Sequence, residues 1–141
     1  MRVLLIVGLG VLSLTAFGQP KKPTVQTTSV KTAPTVQVGL KVYEQYCLTC
    51  HQANGSGVPG LNPPLQQTDW VLGNKTRLIN VVLKGLRDAE VNGEYYSNEM
   101  PAHDFLSDQQ IADVLTFIRS HFGNKAEAVL ADEVKAARNA H

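Results

Sequence analysis

Cys47, Leu48, Thr49, Cys50 and His51 bring the only two cysteines of this 141-residue chain together and follow them with a histidine. Two intervening residues put both sulfurs on one side of a turn. Their separation suits the two vinyl-derived positions of a haem, and the next residue offers an imidazole to the iron. The spacing therefore predicts a cofactor that is fixed covalently and ligated by adjacent residues. Two cysteines scattered at random in such a chain would fall this way roughly once in seventy arrangements, and few of those would be followed by histidine, so coincidence explains the pattern poorly.

Other uses of paired cysteines fit less well. A dithiol redox centre sits between a strand and a helix of an α/β unit, and no strand pattern precedes Cys47. A tetrahedral zinc site needs further ligands, and only His103, His121 and His141 remain, none paired at ligand spacing. A single structural disulfide stays open, since export would permit it.

Length allows one small domain and excludes a large multidomain enzyme. Thirteen Lys plus Arg against 12 Asp plus Glu give a formal charge of +1, too balanced for a surface that grips phosphate backbones. Nucleic-acid partners are therefore not expected. Residues 1–18 read as a secretory signal: Arg2, an apolar run from Val3 to Ala16, then a cut between Gly18 and Gln19. The run is shorter than the roughly twenty residues of a bilayer span. No cysteine near the cut offers itself to a lipid anchor. Removing Arg2 with the signal leaves twelve basic residues against twelve acidic ones, so the mature chain is formally neutral.

Residues 19–38, with their prolines, threonines and lysines, match neither a helical nor a strand period and read as a flexible leader. The folded domain is expected over 39–123. It opens on a helix carrying Leu40, Val42, Tyr43 and Tyr46. Asn74 caps a helix through Arg77, Ile79, Val82 and Leu83 that Gly85 ends. Lys75, Arg77, Lys84 and Arg87 read as its solvated face. Ser107 and Gln110 form a capping box for a helix whose buried stripe is Ile111, Val114, Leu115 and Ile118, with Gly123 just past its end. Residues 124–141 form an extension in which Ala126 to Arg138 is expected to be a short helix packed on the domain.

An iron held by one histidine needs a sixth ligand or stays open. Met1 leaves with the signal, so Met100 is the only thioether of the mature chain. It lies in an aperiodic segment, Asn98 to Ala102, where Pro101 stiffens the backbone and holds Met100 extended. Met100 is read as the axial ligand. His103, which offers a bis-histidine alternative, is read as an exposed loop residue, and Trp70 as a core residue with its ring N–H satisfied. Gly55, Ser56 and Gly57 form a turn after the haem ligand. Tyr95, Tyr96 and Asn98 are each able to bond the Met100 sulfur or a propionate, and the choice among them stays open.

On these residues the chain resembles the class I monohaem c-type cytochromes in their small secreted bacterial form, over Gly39 to about Gly123. The resemblance implies an all-α fold of three to five helices wrapped around one covalent haem c. It implies thioethers at Cys47 and Cys50, with His51 and Met100 as the iron ligands. The carbonyl of Pro63, or of Pro64 one step on, would meet the free ring nitrogen of His51, and Trp70 would lie near a propionate. The first and last helices of the family domain would cross, with Gly39 permitting their close approach.

The function implied is periplasmic electron transfer, as a soluble carrier or as the cytochrome subunit of a dehydrogenase or reductase system, rather than enzymatic catalysis. Partners would be redox proteins: a dehydrogenase, reductase or oxidase. Membrane contact would be transient or through an uncleaved signal, and the chain would act as a monomer. The competing reading is a haem enzyme or sensor in which Met100 is displaced to admit peroxide or a gas.

Overall fold

The computed structural model describes residues 34–140. The expected signal segment and most of the expected leader lie outside the described residues. The elements are α1 (Val36–Tyr46), α2 (Leu48–His51), α3 (Asp69–Leu72), α4 (Lys75–Lys84), β1 (Glu90–Val91), β2 (Glu94–Tyr95), α5 (Asp108–Ser120) and α6 (Ala131–Asn139). The fold is all-α. Six helices among the described residues exceed the three to five expected, because α2 and α3 are single turns and α6 adds one beyond the family domain.

Helix α1 begins ahead of Gly39, where the apolar stripe starts. Thr35 sets that start: its hydroxyl accepts the Val38 N–H at 3.3 Å, and its own N–H donates to the Asp113 carboxylate at 2.7 Å. The second bond ties the start of α1 to α5, a tertiary contact that no local pattern reports. Gly39 is buried at the crossing of the two helices, where an added Cβ would strike the Asp113 carbonyl and approach the Phe117 Cβ at 2.8 Å. Tyr43 then packs its ring against Phe117 and Phe122, with centroids 5.4 and 5.3 Å away, and its hydroxyl donates to the Gln52 carbonyl at 2.6 Å.

The two later helices of the domain form by local rules. Asn74 caps α4 by accepting the Arg77 N–H at 2.9 Å, and Gly85 ends it at φ 80°. Ser107 accepts the Gln110 N–H at 3.2 Å while the Gln110 side chain accepts the Ser107 N–H at 3.0 Å, closing the capping box of α5. Ile111, Val114, Leu115 and Ile118 are all buried. The basic face of α4 is less free than its sequence suggests: Arg77 pairs with Asp69 at 3.0 Å and Lys75 with Glu133 at 2.8 Å.

The extension packs on the domain, although its helix begins later than Ala126. Val129 lies in an extended stretch, fully buried, where the Thr116 hydroxyl accepts its N–H at 3.0 Å and donates to its carbonyl at 3.2 Å. Helix α6 starts only at Ala131, with the Glu133 carboxylate accepting the Leu130 N–H at 2.8 Å. Val134 and Ala137 are buried. Arg138 fastens the far end by donating to the Asp108 carboxylate and to the carbonyls of Asp104 and Leu106 at 2.8–2.9 Å. Burying each valine contributes about 1.5–3 kcal/mol. Among the described residues no helix is long and apolar enough to cross a membrane.

Candidate haem site

A cleft enclosing about 760 Å³, its open mouth included, runs between α2, α4, α5 and the segment from Leu86 to His103. Leu78, Val82, Val91, Leu115 and Ile118 make its walls apolar. Cys47, His51, Met100 and His103 all face both this cleft and a smaller one beside it that also reaches Cys50.

His51 is placed by local chain geometry. After Cys47 the chain makes the single turn of α2, with the His51 N–H on the Cys47 carbonyl at 2.9 Å, and Gln52 at φ 65° turns it away. The following loop doubles back at Gly57, whose φ is +66° and whose N–H bonds the His51 carbonyl at 3.1 Å. An added Cβ there would strike the carbonyls of Asn62 and Pro63. Glycine thus lets the loop close tightly enough to bring the Pro63 carbonyl within 3.0 Å of His51 Nδ1. Pro63, and not Pro64, supplies this contact.

A carbonyl only accepts, so Nδ1 carries the proton and Nε2 keeps its lone pair. Burial lowers the His51 pKa, the Pro63 bond opposes that, and the nearby His103 adds to the lowering. The neutral ring is the metal-ligating form. Cys47 is half-buried, its thiol pushed up to about 11 by burial and by the charge of Cys50, which is exposed. Neither cysteine is in a disulfide.

Met100 is placed by longer-range contacts. Its N–H and carbonyl exchange two bonds with Leu86 at 3.0 Å each, directly after Gly85 has turned the chain at φ +80°. The N–H groups of Ser97 and Asn98 bond the carbonyls of Gly60 and Leu61 at 3.1 Å, and the His103 N–H bonds the Val82 carbonyl at 2.8 Å. The half-buried thioether is therefore carried on a segment stitched to the end of α4 and to the 60–62 loop.

Two readings from sequence need correction. Trp70 is half-buried on the cleft wall rather than enclosed in the core, because the single turn of α3 leaves it at the rim. Its ring N–H donates to the Glu90 carbonyl at 2.9 Å, so that donor is committed to the β1–β2 hairpin, while Arg77 stacks 4.5 Å over the ring. His103 is half-buried and faces the cleft instead of solvent, its ring near those of Tyr46 and Phe105. Asn98, one of the open choices, donates to the Asn62 side chain at 3.2 Å, and Tyr95 is 67% exposed. Sequence reading missed Leu86 as the partner of Met100 and Gly57 as the residue that positions Pro63. A glycine between a motif histidine and a proline pair was the available signal for Gly57; none marked Leu86.

The donor set fits a haem: two thiols at one edge, an imidazole with its far N–H engaged, a thioether, and apolar walls between. The sequence model of the family described as Cytochrome c matches residues 36–122. Cytochrome c-552 of Thermus thermophilus is 38% identical over 110 residues, covering 71% of this chain and 83% of that protein. The gluconate 2-dehydrogenase cytochrome c subunit of Pantoea cypripedii is 39% identical over 106 residues, 72% of this chain and 24% of the subunit. The alcohol dehydrogenase (quinone) cytochrome c subunit of Komagataeibacter europaeus is 38% identical over 104 residues, 72% of this chain and 22% of the subunit. The matched region thus spans about a quarter of the two dehydrogenase subunits.

Proposed function

The chain belongs to the cytochrome c family, and from that premise we propose that it carries electrons between periplasmic redox proteins through a haem held by Cys47, Cys50, His51 and Met100. Its cofactor is covalently bound haem c, its partners are redox proteins, and its task is electron transfer rather than catalysis. It works either as a free carrier or as the cytochrome component of a dehydrogenase or reductase system. Residues 1–18 direct export and a leader follows; the expected boundary at residue 38 moves back to Thr35, which caps α1 and bonds Asp113, so the haem domain runs from there to 123 and 124–140 brace it.

Bound haem supplies an iron that alternates between ferric and ferrous as one electron arrives and leaves. Cys47 and Cys50 hold the group by two thioether links. His51 presents Nε2 because the Pro63 carbonyl holds Nδ1 at 3.0 Å, which fixes the ring plane and raises its basicity as a ligand. Met100 supplies the second ligand, and histidine with methionine gives a higher potential than two histidines. Leu78, Val82 and Leu115 line the cleft and would keep water from the bound group. Trp70 contributes ring surface at the rim, its N–H being taken by Glu90.

A monomer with a formally neutral surface suits small, short-lived contacts with partners. The observation that carries this reading is an apolar cleft lined by both His51, with Nδ1 already engaged, and Met100. The purified ferric protein is expected to show c-type bands and a methionine–iron charge-transfer band, with haem retained under denaturing conditions. Met100→Ala should remove that band and lower the potential. A wild-type spectrum without the band sinks the role of Met100, and a mature mass equal to the polypeptide alone sinks haem attachment.

A further inference from the structure

His51 and His103 carry the same hydrogen-bond signature. His51 Nδ1 lies 3.0 Å from the Pro63 carbonyl, and His103 Nδ1 lies 2.9 Å from the Pro101 carbonyl. Each carbonyl can only accept, so each ring protonates Nδ1 and leaves Nε2 with a lone pair, the form in which imidazole binds metals. Among the described residues no hydrogen bond engages Nε2 of His103. Both rings face the same two adjoining clefts, together with Met100.

We propose that His103 is a reserve axial ligand, taking the haem iron through Nε2 when the Met100 thioether leaves it. The inference rests on the haem reading above. His103 follows Met100 by three positions on the same stitched segment, with its N–H fixed to the Val82 carbonyl at 2.8 Å. Exchange therefore stays within the Met100–His103 stretch, whose distal anchor remains in place. Tyr46, with its centroid 6.4 Å away, and Phe105, at 5.7 Å, flank the imidazole and limit its rotation.

The exchange replaces one neutral donor by another, with no electron or proton consumed. An imidazole in place of the thioether lowers the potential. The iron stays six-coordinate, so small molecules remain excluded. The chain would thereby possess a closed, low-potential state in addition to its carrier state.

The test compares holo Met100→Ala with holo Met100→Ala/His103→Phe, using electron paramagnetic resonance of the ferric forms and carbon monoxide binding by the ferrous forms. The single variant should be low-spin with two imidazole ligands and refuse carbon monoxide. The double variant should turn high-spin and bind it. Equal spectra for the two, whether both high-spin or both low-spin, overturn the proposal. Failure of the Met100 assignment would show separately, as a wild-type protein without the methionine–iron band.

Discussion

The two walls of the candidate haem cleft that carry His51 and Met100 are built by different means. The His51 wall is local: a turn of helix, a reversal at Gln52 and Gly57, and the Pro63 carbonyl twelve positions from the ring it holds. The Met100 wall is assembled from separate stretches, with Leu86, the 60–62 loop and Val82 each fixing one part of it. His51 is 9% exposed, whereas Met100 is only half-buried. A ligand that follows its attachment points directly in sequence is positioned as soon as its turn forms. One carried by a loop depends on every segment that stitches the loop down.

The harshest way to break the comparison is to remove what unites the walls. Cys47→Ala with Cys50→Ala should abolish covalent haem and with it most of the folded population, because a domain this small gains much of its stability from the group it encloses. Mass spectrometry and circular dichroism of the exported protein would read both losses.

The walls are separated next by their glycines. Gly57→Ala places a side chain at φ +66° against the Asn62 and Pro63 carbonyls, and should cost about 1–3 kcal/mol or more while leaving the methionine–iron band in place. Gly85→Ala does the same at φ +80° against the Met100 carbonyl, with Ala102 N at 3.1 Å, and should weaken that band at a comparable cost. Denaturant melts give the costs, and ferric spectra show which ligand moved. If both substitutions disturb the methionine band equally, the walls are not independent.

The smallest effect is expected away from both walls. Partial burial pushes the Glu133 carboxyl up, but the Lys75 ammonium and the Leu130 N–H outweigh it and hold the pKa below its ordinary 4.5. A depressed carboxyl contributes stability that is complete above its unfolded value and fades as the pH falls through its folded one. Anchoring of α6 should therefore loosen below about pH 4.5, by under about 1 kcal/mol for so accessible a pair, and Glu133→Gln should flatten the dependence. Hydrogen exchange of α6 amides against pH checks this. A potential that shifted with the substitution would contradict the separation of α6 from the haem walls.

The fold was most legible where the determinants were local. The Ser107–Gln110 box, the Asn74 cap and the stop at Gly85 all lie where residue chemistry places them, since each closes within a turn of chain. Trp70 and His103 were misjudged because exposure is decided by segments distant in sequence, the hairpin for one and the end of α4 for the other. The stretch from Ala126 to Leu130 has helix-compatible residues, yet Val129 is drawn straight by Thr116, thirteen positions earlier. Two-residue strands carry no readable alternation, although Asn92 at φ 54° and Gly93 at φ 83° are the pair that marks such a hairpin. At the site, the residues that the structure brings to one cleft, Cys47, His51 and Met100, were singled out from sequence; the Leu86 ladder that holds Met100 was not.

The hook between Val129 and Thr116 has a consequence for how the molecule comes apart. Because that hydroxyl both gives and takes a bond on the inner side of α5, the tail cannot peel back without stripping cover from the helix that Gly39 lets α1 press against. Residues 129–139 should consequently exchange their amide protons in step with the α1–α5 crossing, as one cooperative unit, instead of fraying ahead of it.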